Sequence, residues 1–167
     1  VQIFSTYNAF AALKKDGSVV SWGRSNTGGD SSSVSSQLGK DVINIYSTES
    51  AFAALKSDGS VVTWGFSDKG GDSSSVSSQL GNDVTNIYST EDAFAALKSD
   101  GSVVTWGGSN YGGDSSSVAS EIANGVASVY SNQWSFAALK SDGSVVTWGY
   151  SSRGGDSSEV SLDLKSD

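Results

Sequence analysis

AFAALKSDGSVVTWG, residues 93–107, is the stretch of sequence from which the fold can be predicted. An Asp-Gly pair separates two apolar runs, and this arrangement is the strongest short-range signal for a β-hairpin. We predict that a type I′ turn at Asp100-Gly101 joins the two strands. Both runs carry apolar side chains at adjacent positions, so both strands are predicted to be buried on both faces.

The same stretch occurs four times at intervals of 42 residues. Each copy follows a short run rich in β-branched and aromatic residues, such as 84–88, which predicts a first strand. Each copy precedes Gly-Gly-Asp and then two apolar residues four apart, such as Val76 and Leu80, which is helical spacing. The unit is therefore three strands and a short helical turn, with an irregular strand as the alternative for the last segment. The glycines predicted to end the turn at the C′ position are Gly39, Gly81 and Gly125.

Sheet repeats of this length are typical of β-propellers. A linear solenoid is the alternative, but its terminal repeats usually differ from the others, and these four do not. We predict an all-β protein: a β-propeller of four 42-residue sheet repeats in one domain, residues 1–42, 43–84, 85–126 and 127–167. The tail, residues 163–167, runs in phase into residues 1–4, as in a ring closed on itself. Either four blades close alone or a second chain completes eight blades.

The pattern Ala-Leu-Lys-x-Asp-Gly-x-Val-x-x-Trp-Gly resembles the regulator-of-chromosome-condensation repeat. It is most similar to the short-repeat form found in bacterial propeller-type β-lactamase inhibitor proteins. The resemblance rests on residues 13–23, 55–65, 97–107 and 139–149. It implies a propeller, and it implies binding without identifying a partner, because the family includes a nucleotide exchange factor for a small GTPase as well as enzyme inhibitors.

Two features depart from that family. The positions where the family often carries a histidine hold Ala9, Ala51, Ala93 and Ser135. Family propellers usually have seven blades, whereas this chain supplies four. The packing of the blade faces fixes the angle between neighbouring blades. An angle close to that of a seven-bladed ring suits eight blades better than four, so we expect two chains to form one eight-bladed ring.

The composition argues against several classes of function. A net charge of −8 and a pI near 4.3 predict no nucleic-acid partner. No apolar run approaches the length of a membrane span, so no membrane partner is predicted. The chain has no Cys and no His, and we predict no catalytic residue, cofactor or metal, and hence no enzyme. The acidity, the abundant serine and the lack of Cys favour a secreted or cell-surface protein.

The copies differ mainly in two loops, one after the first strand and one after the third. In an up-down-up blade these loops lie at the same end, and they carry the aromatic and arginine side chains that anchor many recognition surfaces. The alternatives are loop drift where packing imposes no constraint, a structural or spacer module of a larger surface protein, and an engineered repeat protein. The residues predicted to bind a protein or glycan are Tyr7, Asn8, Arg24, Asn26, Phe66, Asp68, Lys69, Glu91, Asp92, Tyr111, Trp134, Tyr150 and Arg153.

Overall fold

The computed structural model describes residues 1–164, so the predicted match of the tail to the start lies partly outside the described residues. Four three-stranded antiparallel sheets, called blades 1 to 4, follow one another along the chain. Blade 1 contains β1 (Gln2–Ser5), β2 (Ala9–Leu13) and β3 (Val19–Gly23), and blade 2 contains β4 (Val42–Ser47), β5 (Ala51–Lys56) and β6 (Val61–Gly65). Blade 3 contains β7 (Val84–Ser89), β8 (Ala93–Lys98) and β9 (Val103–Gly107), and blade 4 contains β10 (Val126–Ser131), β11 (Ser135–Lys140) and β12 (Val145–Gly149).

The predicted hairpin is present in every blade, but the predicted turn type is wrong. In blade 3, Lys98 N donates to Ser102 O at 2.9 Å, and Gly101 N donates to Lys98 O at 3.0 Å. Among the described non-glycine residues a positive φ occurs at Asp41 and Asp83, so Asp100 does not adopt the φ that a type I′ turn requires. Gly101 alone is left-handed, at φ 79°. The connection is therefore a three-residue loop that ends in a left-handed glycine.

The side chain of Asp100 explains this geometry. Its Oδ1 accepts bonds from Ser102 N at 2.9 Å and from Ser102 Oγ at 2.6 Å, which fixes the turn on one side. These bonds lower the pKa of the Asp100 carboxyl, and the bond from the Ser102 hydroxyl has the largest effect. The same arrangement and the same direction of shift occur at Asp16, Asp58 and Asp142.

Acid is therefore expected to destabilise the fold. A carboxyl whose pKa is lowered on folding contributes stability above its unfolded pKa, and this contribution is lost as the pH falls through the folded pKa. The urea midpoint should drop between about pH 6 and about pH 3. Replacing all four turn aspartates by asparagine, which keeps an acceptor but does not titrate, should make that drop smaller. An equal drop in the variant would contradict this explanation.

The segment after each third strand is helical, as predicted, but it forms 3₁₀ turns. In the second unit the turn Ser74–Val76 continues into a bond from Leu80 N to Val76 O at 3.2 Å, which places Leu80 in the core. An additional 3₁₀ turn, Ser67–Lys69, lies within the loop after β6 and was not predicted. The C′ assignment is wrong for Gly39 and Gly81, which lack a positive φ. The left-handed residue lies two positions later, just before the next strand, and is Asp41, Asp83 or Gly125.

Neighbouring blades pack through two different faces. The front face of blade 3 presents Phe94 stacked on Trp106 at 5.2 Å between ring centroids. It packs against the back face of blade 2, formed by Ala51, Ala53 and Leu55. Phe94 is fully buried, and Trp106 Nε1 donates to Gly70 O at 3.1 Å. As predicted, β5 and β8 are buried on both faces. The same prediction is wrong for the third strands β6 and β12, in which buried residues alternate with half-buried ones.

The two end faces of the described chain are open. On the front face of blade 1, Phe10 and Trp22 are each 46% exposed, whereas Phe52 and Trp64, their counterparts in blade 2, are 0% and 3% exposed. On the back face of blade 4, Tyr130 is 61% exposed. The blades therefore form an arc whose ends carry the same kinds of residue as the internal junctions.

The arc curves around an axis, which distinguishes a propeller from a linear solenoid. Loops from all four blades line one recess of about 420 Å³. There Tyr7 N donates to Glu49 O at 2.8 Å, Glu49 N to Glu91 O at 2.9 Å, and Glu91 N to Gln133 O at 2.9 Å. The chain has the predicted all-β propeller architecture with four blades. Along residues 1–164, no helix has the length and apolar character needed to cross a membrane.

Candidate functional site

The two variable loops of each blade lie side by side, as predicted from strand direction. Arg24 N donates to Asn8 O at 2.9 Å, which joins the two loops of blade 1. The equivalent bond in blade 4 runs from Tyr150 N to Trp134 O at 3.1 Å. Blades 2 and 3 have the same bond, so the eight loops form one surface, here called the loop face.

An aromatic cluster occupies the loop face at blades 3 and 4. Trp134 stacks on Tyr111, with ring centroids 5.3 Å apart and planes 24° apart. Tyr150 meets Trp134 edge-on at 6.0 Å. The Arg153 guanidinium carbon lies 5.2 Å from the Trp134 ring centroid, within cation–π range. Four of the predicted residues are therefore brought together, and Tyr150 remains 42% exposed.

A partly buried ion pair lies beside this cluster. Lys69 Nζ binds Asp92 Oδ2, and Asp92 is only 4% exposed. Burial by itself lowers the pKa of Lys69, but the bond to Asp92 and its charge outweigh burial, so the net shift is upward. Asp92 Oδ1 is buried and has no hydrogen-bond partner among residues 1–164. The pair borders a recess of about 540 Å³ that Phe66, Asp68 and Tyr111 also line.

The axis recess holds a second group of variable residues. Tyr7, 80% exposed, lies there with Glu49, Glu91 and Gln133. Gln133 Nε2 donates to Glu91 Oε2 at 2.5 Å. Partial burial, followed by the charges of Glu91 and Asp92, raises the pKa of Glu49.

Tyr7 and Glu91 were predicted from the sequence as binding residues, whereas Glu49 and Gln133 were not. All four occupy the same position in the repeat, so the comparison of the copies already contained the signal. The structure places Tyr7 and Glu91 on the axis recess, and Glu91 is near enough to the aromatic cluster for its charge to act on Tyr111. Asn8, Arg24 and Asn26 lie on blade 1, apart from the cluster on blades 3 and 4.

Metal chemistry has no candidate ligand set within residues 1–164. No group of three or more Asp or Glu side chains there is arranged to hold an ion. The Gly-Gly-Asp carboxylates instead accept backbone bonds: Asp72 Oδ1 accepts from Ser74 N at 2.8 Å, at the start of a 3₁₀ turn. These carboxylates therefore stabilise the start of the turn.

No protein-family model and no curated protein matches the chain. Solved structures do match, each over 89% of this chain: human WBSCR16 (TM-score 0.61, 17% identity, 46% of that chain) and Prp20p from Saccharomyces cerevisiae (0.57, 19%, 43%). The CRINKLY WD40 ectodomain of the Arabidopsis thaliana receptor kinase ACR4 also matches (0.55, 18%, 52% of that chain). The chain thus spans about half the length of these proteins.

Identities this low show the fold alone. The neighbours include Prp20, the yeast RCC1, so the resemblance to the regulator-of-chromosome-condensation repeat is confirmed at the level of fold. The similarity to bacterial inhibitor proteins stays a prediction. The chain has the β-propeller fold of the RCC1-like proteins.

Proposed function

We propose that this chain is a non-enzymatic binding scaffold whose loop face recognises a protein or a glycan. The observation that carries the proposal is the aromatic and cationic cluster around Trp134, beside a recess with a buried, unpartnered carboxylate oxygen. Aromatic and arginine side chains supply most of the binding energy in many interfaces.

The cluster is suited to binding because its side chains are already held in place. Stacking orients Trp134, and the bond from Tyr150 N to Trp134 O fixes the two loops relative to each other. A surface ordered before binding loses less conformational entropy when a partner binds. Yeast RCC1 (Prp20), which shares the fold, binds Kap60, and this supports a protein as the first partner to test.

We propose in addition that two chains associate into one eight-bladed ring. The open front face of blade 1 and the open back face of blade 4 support this, because equivalent faces pack against each other at the three internal junctions. A structural module of a longer repeat protein is the alternative, since further blades of the same chain would cover the same faces. The native mass of the chain distinguishes these two arrangements.

Capture by the immobilised chain tests the binding role. The probes are a glycan array and a panel of purified bacterial and eukaryotic proteins. For any probe retained, Tyr150→Ala and Trp134→Ala should each weaken binding at least tenfold, as truncation of an anchor residue does. Tyr7→Ala is the control: it also removes a tyrosine ring from a variable loop, but at the axis recess, so it should leave the affinity unchanged.

Two outcomes would contradict the binding assignment. One is the capture of no probe at all, and the other is unchanged capture by both Tyr150→Ala and Trp134→Ala. Thermal unfolding of each variant serves as the control for folding. Tyr150→Ala is the cleaner probe, because Tyr150 is more exposed than Trp134. Removing Trp134 would also remove its stacking contact with Tyr111.

A further inference from the structure

Variable side chains of neighbouring blades meet in pairs at the blade junctions. In blades 2 and 3, the last residue of the first 3₁₀ turn after the third strand contacts a residue from the first loop of the following blade. Between blades 2 and 3 this pair is Lys69 with Asp92, a cation with an anion. Between blades 3 and 4 it is Tyr111 with Trp134, two stacked rings.

The same two repeat positions hold small polar residues at the first junction, Thr27 and Ser50. Thr27 is only 5% exposed, so this position is enclosed there as well. Two of the three junctions therefore carry a chemically matched pair in contact, and the remaining junction holds two small polar residues at the same positions. Independent drift of two loops would not be expected to produce such matching.

The pairs distinguish one junction from another. If blade 3 followed blade 1 or blade 4, the buried Asp92 carboxylate would lose Lys69 or meet a different residue. Leaving a buried charge without its partner is strongly unfavourable. Matched partners combined with unfavourable mismatches are how related interfaces achieve specificity.

Each end of the arc holds one member of a fourth pair. Arg153 occupies the turn position in blade 4, and Asn8 occupies the loop position in blade 1. An arginine guanidinium donates hydrogen bonds and an asparagine side-chain oxygen accepts them, so this pair is matched as well.

The backbone next to Arg153 also leaves space for a phenylalanine of a following blade. At the internal junctions the glycine after the turn lies against the next phenylalanine: a Cβ on Gly70 would be 2.5 Å from Phe94 Cδ2. Among residues 1–164, a Cβ on Gly154 would meet only Asn132 Nδ2 and Ser135 Oγ, both at 3.3 Å. The place that a phenylalanine fills elsewhere is open, and Phe10 is exposed at the other end of the arc.

We infer that the junction pairs specify blade order, and that a second copy of this chain is the partner that completes the fourth pair. In this contact Arg153 of one chain meets Asn8 of the other, while Phe10 and Trp22 pack at Gly154. The inference rests on the eight-bladed ring proposed above. It adds the residues that select head-to-tail closure.

The dissociation constant of the dimer, measured by sedimentation equilibrium, tests the pairing. Asn8→Arg places a like charge beside Arg153 and should weaken association about tenfold, because the ring contains the junction twice. Asn8→Asp should strengthen association, since it reproduces the ion pair of Lys69 and Asp92. Asn8→Arg combined with Arg153→Asp should restore the wild-type value, and raising the salt concentration should reduce each difference.

Asn82→Arg is the matched control, because it makes the same change at an exposed asparagine away from the open faces. A wild-type dimer that Asn8→Arg weakens no more than Asn82→Arg does would overturn the pairing and leave the ring standing. A wild-type chain that stays monomeric at every concentration would overturn the ring, and the pairing with it.

Discussion

Replacing Phe94 with alanine is expected to lower the free energy of unfolding by about 3–5 kcal/mol. Phe94 is fully buried, stacks on Trp106 at 5.2 Å and packs against the back face of blade 2. The substitution removes the ring and leaves a cavity between two packed sheets that cannot readily collapse. Urea unfolding followed by tryptophan fluorescence measures the change.

Phe10→Ala is the matched control, because Phe10 occupies the same repeat position and stacks on Trp22 at 5.4 Å. Phe10 is 46% exposed, so in the monomeric chain we expect the loss to be below about 1.5 kcal/mol. The same variant should prevent dimer formation if the ring forms. Equal destabilisation of the monomer by the two substitutions would contradict the open front face of blade 1.

Gly70→Ala is the second change with a large expected effect, about 2–5 kcal/mol of lost stability. Gly70 has a φ of 97°, which is strained for any residue with a side chain. Its new Cβ would also lie 2.5 Å from Phe94 Cδ2, in the middle of a junction. The backbone strain and the steric overlap both contribute, because the Phe94 ring that the new Cβ would overlap is fully buried.

Gly154→Ala separates these two contributions. Gly154 has nearly the same φ, 98°, but its new Cβ would meet only the ends of two side chains at 3.3 Å. In the monomeric chain it should therefore cost only the backbone strain, about 1–3 kcal/mol. Thermal or urea unfolding of both variants gives the comparison, and a Gly154→Ala variant as unstable as Gly70→Ala would refute the difference between an occupied and an open junction.

The sequence predicted the blades well because their determinants are local and repeated four times. The two apolar runs, the Asp-Gly turn and the Phe–Trp pair all lie within residues 93–107. The turn type was missed because Asp100 bonds Ser102 instead of adopting a left-handed φ. The C′ glycines were misplaced because the strand that follows requires its left-handed residue two positions later, at Asp41 or Asp83.

The candidate site was only partly predictable, because its contacts join residues that are distant along the chain. Strand direction was enough to place both variable loops on one face. It could not show that Lys69 reaches Asp92 in the next blade, or that Tyr111 stacks on Trp134. These contacts depend on how far one blade is rotated relative to the next, which is a property of the packed faces.

The junction pairs change how the variable loops are interpreted. Lys69, Asp92, Tyr111 and Trp134 vary between copies, yet each already contacts a neighbouring blade. Part of the variation therefore serves the order of the blades. Tyr150 and Phe66 are exposed on the loop face and belong to no junction pair, so they remain available to a partner.

The native mass of the wild-type chain tests the central claim, that this chain is half of a ring completed by its own copy. Light scattering on a sizing column, over a hundredfold range of dilution, is the measurement. The proposal predicts a mass twice the 17.1 kDa of one chain, falling toward 17.1 kDa only on dilution. A mass of 17.1 kDa at every concentration would contradict it.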